Sequence, residues 1–288
     1  MYLILVIFVN IRAKISKKCT MTKKHDIIWL ESIDSTNEEA RRRLPELDNL
    51  SVLSARQQTA GRGQRGNTWT SEPGDNLTFS IVLKYGSGAL TQIRAADQSA
   101  ISEITALSVV DLLSSHGIGA EIKWPNDIYA GDRKICGILI EHSVRDACLS
   151  SSIIGVGLNV NQTEFDPALP NPTSMLLYFS SHAEYSSCHP ERSEGPIPLH
   201  PLLEEYMDIF KGYCSRYLNI TGGLSRLRKL YLSQMWRKDV PARYIDSSDG
   251  REFEGIIRGL SEIGHLLVED TEKGELKEFA FKEISYII

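Results

Sequence analysis

Three glycines and two arginines alternate in QQTAGRGQRGNTWT, residues 57–70: Gly61, Arg62, Gly63, Arg65 and Gly66. Glycine lets a backbone approach a ligand closely and lets a loop move, and guanidinium groups pair bidentately with carboxylate or phosphate. Such a loop suits the bringing together of a carboxylate and a nucleotide phosphate. The glycines also spell a literal G-x-G-x-x-G. A dinucleotide fold requires a helix opening at those glycines and an acidic residue about twenty positions further on. Instead the chain continues NTWTSEPGDN, where Pro73, Gly74 and Asn76 oppose a helix, and position 86 is itself glycine. No Gly-Lys-Ser/Thr closes the run, so it is not a P-loop.

Composition narrows the class further. The 288 residues suffice for one large domain, or one domain plus a small one. A net charge of -5 and a pI of 5.9 exclude a protein that mainly coats nucleic acid, so any basic site is local. The five cysteines, Cys19, Cys136, Cys148, Cys188 and Cys214, are odd in number and form no C-x-x-C pair. Neither a disulfide framework nor a zinc site is expected, and a reducing cytoplasm fits. The histidines show no ligand spacing, so no protein-held metal is expected either. The opening MYLILVIFVN is too short to span a bilayer and carries its charges after the apolar run, unlike a secretory signal. Residues 1–25 are therefore expected to be a non-core extension, with Met21 as the working start and a peripheral membrane anchor as the alternative.

The elements that must hold the glycine loop follow from pattern. DIIWLESIDSTNEEARRRL predicts a strand, a turn at Asp34-Ser35-Thr36 and a helix capped by Ser35 or Thr36. SVLSARQ and NLTFSIVL predict strands on either side of the loop. Between Thr91 and His116, apolar Ile93, Ala96, Ala100, Ile104, Leu107 and Val110 recur at helical spacing, and Gly117 ends the run. AEIKWPNDIY and KICGILIEH predict two strands joined at Ala130-Gly131-Asp132, and SIIGVGLNVN predicts a further buried strand. The stretch 181–198, rich in Ser, Pro and Gly, predicts a flexible insertion, and helices resume with LLEEYMDIFKGYCSRYL and GGLSRLRKLYLSQMW. After Trp236 short strands punctuated by Asp249-Gly250, Ile263-Gly264 and Lys273-Gly274 predict a small β-barrel. The expected organisation is an α+β body at 26–236 and a barrel at 237–288.

The loop, KWPND (123–127), DRKICGILIE (132–141) and GVGLN (155–159), in that order, resemble the biotin protein ligases, also called biotin-[acetyl-CoA-carboxylase] ligases or holocarboxylase synthetases. The resemblance runs from about Asp34 to the C-terminal barrel. It implies a mixed β-sheet backed by helices, as in class II synthetases, with an SH3-like C-terminal barrel. It implies two reactions: biotin and MgATP give biotinyl-5′-adenylate and pyrophosphate, and biotin then passes to a lysine of a biotin carboxyl carrier domain. The first needs no general base, because a carboxylate is already ionised at neutral pH, but it must relieve repulsion between two anions.

Carried over residue by residue, Lys134 bridges the biotin carboxylate and the α-phosphate, and Arg62 and Arg65 cover biotin and the adenylate. Ser35, Thr36 and Gln58 line the ureido end of the biotin pocket, with Gly61 in the loop and Gly137, Leu139 and Gly155 in the wall. Trp69 packs on adenine, and Asn126 and Asn159 serve the nucleotide, Asn159 at the ribose. Asp127 serves the nucleotide or its magnesium, or deprotonates the incoming lysine. The commonest loop of that family is G-R-G-R-x-G-R-x-W, and here Gln64 and Asn67 replace two of its arginines, which bears on how tightly the adenylate is retained. Residues before Ile27 are too few for the helix-turn-helix of bifunctional members, so a ligase without DNA binding is expected. Family members pair through the catalytic sheet, so a homodimer is admitted. Two other readings stay open: a lipoate or octanoate protein ligase, and a non-catalytic biotin or nucleotide sensor.

Overall fold

The computed structural model describes residues 25–86, 92–182 and 195–288. The expected extension therefore lies outside the described residues up to position 24, and so does most of the expected insertion. Seven strands form the principal sheet, in the order β1-β2-β3-β7-β6-β5-β4. They are β1 (Ile27–Ile33), β2 (Val52–Gln58), β3 (Leu77–Lys84), β4 (Glu121–Lys123), β5 (Asp127–Ala130), β6 (Arg133–Arg145) and β7 (Cys148–Leu158). β1 and β2 are parallel and the other pairs antiparallel, which makes the sheet mixed.

Helix α1 (Thr36–Arg42) connects β1 to β2 and covers one face, over a small core of Ala40, Leu47, Leu53, Val82 and Ile153. The opposite face carries the main core. There α2 (Ser99–Ser115) packs with α4 (Leu199–Tyr217) and α5 (Gly223–Ser233), and α3 (Met175–Ser181) precedes them in the chain. α2 is buried on nearly every side, as a helix between a sheet and two other helices must be. It starts at Ser99, after a short 3-10 turn, and Gly117 at φ 78 ends it in the left-handed region that glycine tolerates.

Three sequence expectations are corrected. AEIKWPNDIY is two strands, β4 and β5, folded antiparallel about Trp124-Pro125-Asn126, because proline offers no N–H to a ladder. β7 begins at Cys148, earlier than its apolar run, and pairs with a long β6 through Asp146 and Ala147, both at positive φ. The apolar alternation alone hides those polar ends. α3 was not anticipated, since MLLYFSS is too short to show a period.

A second sheet of five antiparallel strands follows, in the order β11-β10-β9-β8-β12. It comprises β8 (Pro241–Asp246), β9 (Arg251–Leu260), β10 (Leu266–Asp270), β11 (Glu275–Phe279) and β12 (Ile284–Tyr286). Gly250, Gly264 and Gly274 turn its corners at positive φ. Among the contacts that tie it to the body, Trp236 packs between Tyr129 and Tyr286, Trp124 Nε1 donates to the Gly264 carbonyl at 3.1 Å, and Arg228 of α5 donates to the Ser261 carbonyl.

Candidate active site

Strand alternation builds the floor. Phe79, Ile81, Cys136, Ile138, Ile154, Val156 and Leu158 enter the main core. With a period of two, Ser80, Gly137, Leu139, Glu141, Gly155 and Gly157 stand on the other face, beneath the start of α1 and the glycine loop. A face made of glycines and small polar residues cannot be closed by its own side chains, so loop and helix residues come down onto it.

The start of α1 brings Ser35, Thr36 and Asn37 there, each only 3% exposed. Ser35 occupies the cap position, yet its hydroxyl makes no capping bond; its backbone N–H donates to Asp34 Oδ1 at 2.8 Å. The backbone N–H of Thr36 donates to Gln58 Oε1 at 2.8 Å, and the Thr36 hydroxyl lies 3.2 Å from the same oxygen. Asn37 reaches over Gly155, where a Cβ would stand 2.5 Å from Asn37 Oδ1, and donates to the Leu139 carbonyl and to Glu141. These residues enclose a cavity of about 30 Å³. That is room for roughly one water, so a ligand must displace side chains to enter.

The loop closes on itself. Gly63 N–H donates to the Asn67 carbonyl at 2.7 Å and Trp69 N–H to the Gly61 carbonyl at 2.9 Å, around a 3-10 turn at Gln64–Gly66. Gly61 permits that closure, since a Cβ there would stand 2.3 Å from the Trp69 carbonyl oxygen. Arg62 pairs with Glu38 on α1 and lies 3.6 Å from Glu141. The Arg65 side chain is outside the described residues.

Trp69 lays its indole on the sheet at two glycines. A Cβ on Gly157 would be 2.3 Å from the ring and one on Gly137 would be 2.9 Å away. Its Nε1 is buried and, among the described residues, has no hydrogen-bond partner. Beyond the indole opens a cleft of about 740 Å³ with the second sheet as its far wall, through Phe281, Ile284 and Tyr286. Lys134 lines the cleft. Its Nζ lies 2.6 Å from Asp127 Oδ1 and 5.8 Å from the Trp69 ring centroid. Lys123 approaches Asp127 at 4.0 Å and lies over the rings of Tyr129 and Tyr286 at 4.9 Å and 4.8 Å. Burial holds Lys123 below the usual lysine range, although Asp127 pulls the other way.

The structure thus brings Ser35, Thr36, Gln58, Arg62, Trp69, Leu139 and Gly155 around the small cavity and Arg62, Trp69, Asp127, Lys134, Gly137 and Leu139 around the adjoining cleft, with Gly61 hydrogen-bonded to Trp69 at the base of the loop. Two expected nucleotide residues are engaged by backbone. Asn126 Nδ2 donates to the Ile138 carbonyl at 2.8 Å, which pins the β4–β5 turn to β6. Asn159 is 4% exposed, donates to the Thr173 carbonyl at 2.9 Å, and lines a neighbouring space of about 230 Å³ together with Trp69, Asp127 and Lys134. Sequence reasoning missed Asn37, Lys123, Glu141 and Gly157. Period-two counting in GILIE and GVG would have placed Glu141 and Gly157 on the face of Gly137 and Gly155.

Residues 29–159 match the model of the biotin/lipoate A/B protein ligase family. The bifunctional ligase/repressor BirA of Salmonella typhimurium is 30% identical over 266 residues, covering 90% of this chain and 74% of that protein. The chain belongs to the biotin/lipoate A/B protein ligase family. The biotin–[acetyl-CoA-carboxylase] ligase of Paracoccus denitrificans is 27% identical over 245 residues, which span 83% of this chain and 92% of that ligase. In fold the chain is similar to the biotin protein ligase from Aquifex aeolicus in complex with biotin and ATP, at a TM-score of 0.66 and 24% identity over 90% of this chain and 97% of that one. The likeness covers both sheets, which gives the α+β class with a small C-terminal β domain. No helix among the described residues is long and apolar enough to cross a membrane.

Proposed function

We propose that the chain is an ATP-dependent biotin protein ligase, with 26–236 as the catalytic unit, 237–288 as the barrel that closes its cleft, and the cytoplasm as its compartment. The observation that carries this reading is that a small polar cavity and a nucleotide-sized cleft share Arg62, Trp69 and Leu139 as walls, while Lys134 lines the cleft beside that junction, its Nζ 5.8 Å from the Trp69 ring centroid. A carboxylate oxygen of biotin attacks the α-phosphorus of ATP; the new O–P bond forms as the bond to pyrophosphate breaks. Lys134 leaves Asp127 and lies between the two anions, and its fixed charge supplies what the first step lacks. Arg62 and Arg65 close over the product, and Trp69, seated on Gly137 and Gly157, packs on adenine from the sheet side, which keeps water from the mixed anhydride.

In the second step the amine of a carrier-domain lysine attacks the acyl carbon, an amide bond forms and AMP departs. Asp127, released by Lys134, takes the amine proton. Ser35, Thr36 and Gln58 hold the ureido ring, and Asn126 and Asn159 hold the turn and strand that shape the nucleotide side. Among the described residues Asp127 is the single acidic side chain lining the cleft and two lysines already neutralise it, so these residues do not fit a resident magnesium ion. Magnesium enters as part of the substrate MgATP. Gln64 and Asn67, which line the cleft, present amides where the usual loop presents charge, so the adenylate is held less tightly.

The test is to incubate the protein with MgATP, a carrier domain and, separately, biotin, lipoate or octanoate, and to weigh the carrier. A mass increase of one biotinyl group on one lysine supports the reading. Modification by lipoate or octanoate alone would assign the lipoate branch of the family, and binding of biotin without any modification would assign a sensor.

A further inference from the structure

The polar end of the small cavity is wired to a carboxylate, Glu141, that does not itself line the cavity. Asn37 Nδ2 lies 3.1 Å from Glu141 Oε2 and 3.3 Å from the Leu139 carbonyl. Both partners only accept, so that end of the amide is the NH2 group, and Oδ1 is the end that faces Ser80 Oγ at 2.6 Å. Oδ1 also only accepts. Ser80 has one proton, and the shorter of its two contacts claims it. Its other contact, Thr36 Oγ1 at 2.8 Å, then becomes a hydrogen bond only when Thr36 donates. The remaining neighbour of the Thr36 hydroxyl is Gln58 Oε1, whose identity as oxygen is fixed by the Thr36 backbone N–H donating to it. Whichever of the two receives it, the Thr36 proton is spent inside the protein.

The geometry points to Glu141, Asn37 and Ser80 as positioning residues that fix the hydrogen-bond polarity of the pocket, so that Thr36 faces the ligand as an acceptor. Gln58 lines the cavity, and with its oxygen turned to Thr36 its NH2 end lies beside Gly61, 3.2 Å from where a Cβ there would stand, which leaves it a donor next to the Thr36 acceptor. An acceptor beside a donor is the complement of a cyclic urea, which offers N–H beside C=O, and of few other small apolar acids. The carboxylate is itself anchored, by Arg41 Nη2 at 2.5 Å, and Asn37, Ser80 and Thr36 are each buried to 3% exposure or less, so water does not scramble the order. This inference rests on the biotin reading and adds the source of its ring specificity.

Biotin binding to wild type, Ser80→Ala, Thr36→Val and the double variant, measured by titration calorimetry, tests it. If Ser80 acts through Thr36, each single variant binds biotin about tenfold more weakly, and the double variant binds no worse than about tenfold, because one interaction is removed by either change. Losses that multiply, to about a hundredfold in the double variant, overturn the relay. Should Ser80→Ala not fold, Asn37→Ala takes its place in the same cycle with the same two outcomes. A biotin analogue methylated on the ureido nitrogens supplies the second readout: wild type rejects it, and the variants reject it no more strongly than they reject biotin. Equal discrimination in wild type and variants contradicts the relay. Wild type that binds lipoate and not biotin would remove the functional reading itself, an outcome separate from an additive cycle on a protein that binds biotin.

Discussion

Gly157→Ala is the substitution whose consequence is read most directly from the site. Gly157 is ordinary extended strand, so alanine brings no backbone strain; its Cβ would stand 2.3 Å from Trp69 Cε2 and 2.7 Å from Cζ2 and Nε1. Carbon contacts are comfortable from about 3.5 Å, so the indole must withdraw by roughly 1 Å. It cannot slide within its loop, because Trp69 N–H is bonded to the Gly61 carbonyl and Gly61 has no room to spare. The whole loop, with Arg62, lifts. A 1 Å displacement of a positioning group costs up to about a hundredfold in rate. We expect kcat/KM for ATP and for biotin to fall by about 10- to 100-fold. The ring lies over a cleft and not in the main core, so the melting temperature should stay within about 3 °C of wild type. Adding Trp69→Phe, a smaller ring, should recover part of the loss. Wild-type kcat/KM in Gly157→Ala would refute the claim that this contact sets the loop.

Other substitutions test other links. Ser-to-Ala at a helix N-cap usually costs about 1 kcal/mol, but the Ser35 hydroxyl makes no capping bond, so Ser35→Ala should cost under about 0.5 kcal/mol in urea unfolding while raising the KM for biotin. Burial pushes Glu103 up to about 7 from its ordinary 4.5, against the pull of Arg228 at 2.6 Å. A carboxyl with a raised folded pKa stabilises fully below pH 4.5 and loses that contribution as pH rises through 7, here about 3 kcal/mol. Glu103→Gln should therefore abolish that part of the decline between pH 5 and pH 8, and an unchanged pH dependence of unfolding would count against it. In single-turnover experiments Asp127→Asn should slow transfer to the carrier lysine by about a hundredfold or more and adenylate formation much less. Equal slowing of both steps would remove the base role.

The parts of this protein that sequence makes legible are those where local chemistry and tertiary role agree. Gly117, Gly250, Gly264 and Gly274 mark ends and turns because each needs positive φ, and the apolar runs in β3 and β7 are strands buried in the main core. The fold departs from the pattern where long-range pairing decides, as in β4 and β5, whose turn at Trp124-Pro125 is pinned by Asn126 to β6 and by Trp124 to the second sheet. The site shows the same division. Lys134, Arg62 and Trp69 stand in readable motifs, whereas Asn37 and Glu141 meet across 104 positions and carry no local signal of their pairing. Gly155 reads as a pocket wall, but what it admits is the amide of Asn37.

Carboxylate activation at Lys134 is the central step of the proposed reaction, and biotin-dependent exchange of labelled pyrophosphate into ATP measures that step alone. Wild type should exchange with biotin and not with lipoate or octanoate, and Lys134→Ala should reduce the rate by about a hundredfold to a thousandfold while still binding biotin. Undiminished exchange in Lys134→Ala, or no exchange with biotin in a wild-type protein that binds it, would contradict the account.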